Sequence, residues 1–156
     1  MFSLFPDSLE ITLCPSSLLM ELRCPDSDWH EFGEFCYRPF DVKKTWYDAR
    51  SECRKLGADL VSIMSITEQS WLESYLYLGS DMSSVVCSAD YLWSDGSALS
   101  HTNWGPGEPN DHAGRENCVE LVTTQNGSSY WNDIFCDAHQ DWVSSNSIPH
   151  IFYNQG

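Results

Sequence analysis

Seven cysteines, at positions 14, 24, 36, 53, 87, 118 and 136, constrain this 156-residue chain more than any other feature. No two of them form a Cys-x-x-Cys pair. Zinc and thiol-redox sites are therefore poor readings, and a disulfide framework laid down in an oxidising compartment is the better one. The expected address is secreted and extracellular. The length fits one domain, since about 150 residues can bury roughly 68–70% of their unfolded surface. Eight basic against 23 acidic residues leave a net charge of −15, which repels nucleic-acid phosphates and anionic membranes and favours cations. No stretch approaches the ~20 apolar residues that span a bilayer, so membrane insertion is not expected.

Residues 1–23 read as an N-terminal extension. Its Leu13–Leu22 stretch is only weakly signal-like, with broken apolar content and no Lys or Arg before it. Cys24 and Cys36 bracket Trp29 and Phe32, and Phe35-Cys36-Tyr37 reads as a strand, which predicts a small hairpin closed by a Cys24–Cys36 bridge. Trp46, Ala49, Cys53 and Leu56 form a helical stripe that starts after Thr45 and ends at Gly57 in a left-handed cap. Leu60–Ile63 reads as a strand. A second helix is predicted with Thr67 as its cap and Ile66 and Trp71 as a hydrophobic staple, ending near Gly79. From Tyr91 onward, Gly, Asn, Asp, Pro and Trp predominate, the composition of long loops stitched to a hairpin. Asn126-Gly127 predicts the turn between the apolar runs Cys118–Val122 and Tyr130–Phe135, and Asn126-Gly127-Ser128 is also an N-glycosylation sequon.

Those loops carry a set of oxygen donors. Glu108-Pro109-Asn110, Glu116-Asn117-Cys118 and Trp131-Asn132-Asp133 present Glu108, Asn110, Glu116, Asn132 and Asp133 as candidate ligands. Carboxylate and amide oxygens suit calcium, which takes 6–8 of them at ~2.3–2.6 Å, and suit zinc or copper poorly. Calcium is the expected cofactor. A glycosidase pair of Glu108 and Glu116 is the enzymatic rival. It is set aside because a Pro-fixed amide between them and a nearby Asn-Asp pair make a cation site, not an acid of raised pKa in an apolar pocket. No catalytic residue is expected. Trp46, Trp71, Trp93, Trp104 and Trp131 read as packing residues, and His101, His112 and His139, which lack ligand spacing, as surface residues.

The order of Cys53, Gly57-Ala58-Asp59-Leu60-Val61-Ser62-Ile63, Glu68-Gln69, Trp93-Ser94-Asp95-Gly96, Asn103-Trp104, Glu108-Pro109-Asn110, Glu116-Asn117-Cys118-Val119, Trp131-Asn132-Asp133 and Cys136 resembles the C-type lectin domain, over residues 24–143. The resemblance implies an α+β double-loop domain: two helices flanking antiparallel strands, a long calcium-binding loop, and the N-terminal disulfide hairpin. It makes Glu108, Asn110, Glu116, Asn132 and Asp133 the ligands of one sugar-binding calcium, with the first four also contacting carbohydrate. It implies a Cys118–Cys136 bridge beside Cys24–Cys36. It also implies a cis Pro109, a form that costs only ~0.5–1 kcal/mol at a prolyl bond. A Glu-Pro-Asn triplet goes in that family with mannose, fucose and N-acetylglucosamine. The implied partners are thus glycans with equatorial vicinal hydroxyls, held with an avidity that homo-oligomerisation would supply. A degenerate lectin-like module that binds protein and no sugar is the alternative.

Two departures from the pattern generate further expectations. The family's Trp-Ile-Gly-Leu strand has no counterpart before Trp93, so a core strand is expected to be missing, and with it the acidic ligands of a second calcium. Ser144 stands where the family has its final cysteine, which leaves Cys53 without its expected partner; residues 144–156 read as a divergent tail. The sugar preference itself follows from donor chemistry, because carboxylates only accept hydrogen bonds whereas amides also donate. The Glu108→Gln, Asn110→Asp double variant reverses the donor order and should move glycan-array binding from mannose to galactose-type ligands; an unchanged mannose preference would sink that account.

Overall fold

A computed structural model describes residues 23–77, 84–86 and 92–148. The expected N-terminal extension, Gly79, Cys14 and Cys87 all lie outside the described residues. Strands β1 (His30–Phe32) and β2 (Phe35–Lys44) form a hairpin, and a Cys24–Cys36 disulfide fastens the segment before it to β2. Helix α1 (Trp46–Lys55) follows. The Thr45 hydroxyl caps it by accepting the Asp48 N–H, and Gly57, at φ 72°, ends it while its N–H returns to the Arg54 carbonyl. A left-handed residue without a Cβ suits that turn.

Strand β3 (Asp59–Leu60) leads into helix α2 (Ile66–Tyr77). Its cap is Ser65, two residues before the predicted Thr67. The Ser65 hydroxyl accepts the Glu68 N–H at 3.1 Å, and the Glu68 carboxylate accepts the Met64 N–H at 2.8 Å. This reciprocal arrangement, closely related to a capping box, satisfies two donors at once. Ile66, expected as half of a hydrophobic staple, is instead 60% exposed.

The strands β4 (Ser84–Val86), β5 (Cys118–Thr123), β6 (Ser129–Ile134) and β7 (Gln140–Ser147) complete one sheet in the order β1-β2-β7-β4-β5-β6, with β3 added to β7. A short strand occupies this central position: β4 runs parallel to β7 and antiparallel to β5. Its Ser-Val-Val sequence shares no letter with the family's Trp-Ile-Gly-Leu strand, since a ladder is made by backbone groups. The described part of the expected tail is regular structure. Residues 144–147 continue β7, with Ser145, Asn146 and Ser147 opposite Tyr37, Cys36 and Phe35 of β2, and the following Ile148 is buried against Trp29 and both cysteines of the first bridge.

The period of two along β7 sorts the core between its faces. Trp142 packs with Ala49 and Cys53 of α1 and stacks on Phe40 at 3.7 Å. Val143 faces the larger core of Tyr37, Val61, Ile63, Leu72, Leu76, Trp93, Val119, Leu121 and Trp131. The helices thus cover opposite sides of β7. Ser144 is fully buried beside Cys53, the one free cysteine among the described residues. Burial pushes the Cys53 thiol up to about 12, against a hydrogen bond with Ser144 that pulls it down, so it is an inert packing group at neutral pH. Ser144→Cys should bridge to Cys53 under oxidising conditions and add about 2–4 kcal/mol. Urea unfolding of this variant and of the wild type, each with and without reductant, measures it, because reductant also opens the Cys24–Cys36 and Cys118–Cys136 bridges; an equal midpoint for the two oxidised proteins would mean that the two sulfurs do not meet.

Candidate functional site

The site forms where a long loop is pinned to the end of the β5–β6 hairpin. Three hydrogen bonds fix the loop to β6: Trp131 N–H to the Asn103 carbonyl at 2.7 Å, Gly105 N–H to the Trp131 carbonyl at 2.9 Å, and the Asn103 amide to the Ser129 carbonyl at 2.8 Å. Position 105 must be glycine, because a Cβ there would lie 2.4 Å from the Tyr130 ring. Beneath the attachment, Trp93, Trp104 and His101 all meet Trp131 edge-on, with centroids 5.5–5.6 Å apart. His101, expected on the surface, is half-buried, with Nε2 3.1 Å from Gln69 Oε1.

From this anchor the chain turns through Glu108-Pro109-Asn110, whose prolyl bond is cis. Asn110 donates its side-chain amide to Glu108 Oε2 at 2.6 Å. Asp133, 4% exposed at the end of β6, accepts the Asn110 N–H at 3.0 Å on one carboxylate oxygen and the Asp111 N–H at 2.6 Å on the other. The next turn is closed by acids as well: Glu116 accepts the His112 N–H at 2.8 Å, and Asp111 accepts the Glu116 N–H at 3.1 Å. Asp111 and Ala113 sit at φ 45° and 58°, left-handed values that an Asp tolerates better than an Ala does.

Glu108, Asn110 and Asp133 are thus gathered at one point, with Glu116 on the flank. Partial desolvation, then the adjoining Asp133 carboxylate and the more distant Glu116, push the Glu108 carboxyl above its ordinary value, opposed by the Asn110 amide. Asn132 has a different partner: its amide donates to Glu120 Oε1 across the hairpin at 2.9 Å. Gln140 donates to the other oxygen of Glu120 at 2.6 Å. Glu120, 8% exposed, was missed by sequence reasoning. Its signal was available as an acid inside the otherwise apolar run Cys118–Val122.

Among the described residues, no group of three or more His, Cys, Asp and Glu side chains is gathered closely enough to hold a metal by itself. A site here has to use amide oxygens, which the expected ligand set includes. The arrangement fits a hard cation: its donors are oxygens, two of its carboxylates repel one another, and the neighbouring Arg115 guanidinium is placed 5.2 Å over the Phe135 ring. His112, exposed, lies 6.4 Å from the same ring.

A double-loop α+β domain, closed by its first and last long strands and carrying an oxygen-lined loop on the far hairpin, is the architecture of a lectin-type domain. The Lectin C-type domain model matches residues 42–144, and this chain belongs to that family. It is 37% identical over 119 residues to the versican core protein of Rattus norvegicus, covering 73% of this chain and 4% of that one. It is 36% identical over 126 residues to the low affinity immunoglobulin epsilon Fc receptor of Mus musculus, covering 77% and 36%. The chain therefore spans only a small part of these relatives. Among solved structures, the carbohydrate-recognition domain of cow CD23, determined in the presence of a GlcNAc2Man3 oligosaccharide, superposes with a TM-score of 0.69 at 34% identity, covering 81% of this chain and 97% of that one.

Asp133 is the joint between sheet and loop. Asp133→Ala leaves two backbone donors without their acceptor and should cost about 1–3 kcal/mol. Chemical unfolding measures the loss, and amide exchange at Asn110 and Asp111 should accelerate; unchanged exchange at both would refute the role.

Proposed function

We propose that this domain binds carbohydrate through calcium, taking mannose, fucose or N-acetylglucosamine by a vicinal pair of equatorial hydroxyls. The observation that carries the reading is the convergence of Glu108, Asn110 and the buried Asp133, with the Glu108 carboxyl raised by partial desolvation and then by Asp133. Glu108, Asn110 and Asp133 would form the centre of the ligand set, with Glu116 and Asn132 completing it. Calcium, when bound, supplies coordination positions for two sugar oxygens. The protein's part is to orient the sugar: Glu108 and Glu116 accept from its hydroxyls, and the Asn110 and Asn132 amides donate to them. Asn132 suits that part because its bond to Glu120 fixes the plane of its amide.

The reading is one of binding, in keeping with a family whose domains are in general not enzymes. A few hydrogen bonds and two coordination bonds on an exposed loop give weak affinity for one sugar, so clustering of domains would supply avidity, worth ~10²–10⁴. Secretion is part of the same proposal, supported by the Cys24–Cys36 and Cys118–Cys136 bridges.

Immobilised mannose tests it. The protein should be retained in calcium and eluted by a chelator at neutral pH; failure to bind in calcium would favour a protein-interaction module on the same fold, and retention in chelator would refute the metal. Acid should also release it. Protons compete with calcium for the ligand carboxylates, and a raised Glu108 takes its proton at a higher pH than an ordinary glutamate, so binding is present at neutral pH and lost as the solution is acidified.

A further inference from the structure

The Asn126-Gly127-Ser128 sequon is the only Asn-x-Ser/Thr in the chain, and nothing in the proposed sugar site uses it. It lies in the connection between β5 and β6, which spans residues 124–128, with Thr123 and Ser129 as the last pair of the ladder. This is wider than the two-residue turn that Asn126-Gly127 predicts. The Thr124 N–H bonds to the Ser128 carbonyl at 2.8 Å, the Gly127 N–H returns to Thr124 at 3.0 Å, and Gly127 takes φ 83°. Gln125, Asn126 and Ser128 are exposed.

The Asn126 side chain is held by one end. Its Oδ1 accepts the Ser128 N–H at 3.1 Å and the Ser128 hydroxyl at 2.7 Å, and the Thr124 hydroxyl also lies against it. Every hydrogen bond the side chain makes among the described residues ends on that oxygen, at the edge of the amide opposite Nδ2. Glycosylation replaces one hydrogen of Nδ2 and keeps the oxygen an acceptor. The turn can therefore carry a substituent on the nitrogen without giving up any contact that shapes it.

We propose that Asn126 is an N-glycosylation site, modified as the chain passes through the secretory compartment that its two disulfides call for. The donor is a polyprenyl diphosphate-linked oligosaccharide. The bond between the sugar's anomeric carbon and the diphosphate oxygen breaks, the diphosphate leaving with the electron pair. The Asn126 Nδ2 forms the new bond to that carbon and loses one proton. The glycan lies at the turn end of the hairpin, away from the candidate sugar site: beyond the rest of the turn, the strand from Ser129 to Asn132 adds three steps of ~3.3 Å, or about 10 Å. A glycan there leaves the loop of Glu108 and Asp133 open.

Expression of the full chain through the secretory pathway of a eukaryotic host, read by intact mass, tests the assignment. The wild-type protein should carry an oligosaccharide mass that peptide N-glycosidase removes, converting Asn126 to Asp. Asn126→Gln and Ser128→Ala should both lack it, and Ser128→Thr, which keeps a hydroxyl at the second position, should retain it. Secreted wild-type protein at its unmodified polypeptide mass overturns the proposal, as does an oligosaccharide mass that persists in Asn126→Gln or Ser128→Ala. Should Asn126→Gln fail to be secreted, the same comparison is read from Ser128→Ala and from peptide mapping of the wild type.

Discussion

The pairing of β2 with β7 is the interaction on which the rest of the structure depends. It joins residues 35–44 to residues 140–147 across about a hundred positions of sequence, so the loop-closure entropy of nearly the whole domain is lost in making it. What offsets that cost is the use β7 makes of both faces and both edges. One edge is filled by β2 and the other by β4 and β3 in turn, while Trp142 and Val143 enter the cores under the two helices. The Cys24–Cys36 bridge and Ile148 then lock the outer end of the same pairing.

From that frame the functional loop is held by a second, smaller device. Asp133 ends the strand that begins at the hairpin turn, so its carboxylate is positioned by the sheet and not by the loop. Its two oxygens take two consecutive loop N–H groups, hydrogen bonds strengthened by the charge of the acceptor. Asn103 and Gly105 pin the loop's other side to the same strand. The irregular segment from Asn103 to Asp111 is thereby tied to regular structure at both ends, which is how a loop gains the precision of a strand.

Much of this was legible in the letters, and the parts that were not share a cause. Thr45 and Gly57 announced α1 because caps and left-handed turns are local chemistry, and the Glu108-Pro109-Asn110 and Trp131-Asn132-Asp133 stretches announced a loop lined by oxygen donors because donor type is printed in the residue name. β4 and the last half of β7 were hidden. Ser84-Val85-Val86 is too short to show a period, and Ser144–Ser147 is polar where a strand pattern would be sought. Both are held by ladders to distant partners, information that no local window carries. The shift of the α2 cap from Thr67 to Ser65 is of the same kind: Ser and Thr cap almost equally well, and Glu68's links to Met64 and Tyr37 decided between them. Glu120 was overlooked because its partners Asn132 and Gln140 come from two other strands.

The charge of the chain gives the loop its remaining logic. Glu108, Asp111, Glu116 and Asp133 are spread along one loop and the strand that holds it in a protein already at −15, a run of like charge that works against folding. Backbone donors answer most of it: Asp133, Asp111 and Glu116 each accept at least one N–H from the loop, and each such bond occupies only part of a carboxylate that can accept about four. The hydrogen bonds that order the loop therefore leave lone pairs free on the acids they use. A cation entering such a site meets donors whose conformational entropy has been spent in folding, which lowers the cost of binding in the way pre-organisation does. Glu108 is the exception. Its hydrogen bond comes from a side-chain amide, and its carboxyl is raised by partial desolvation and then by the adjoining Asp133, a rise that a bound cation would oppose.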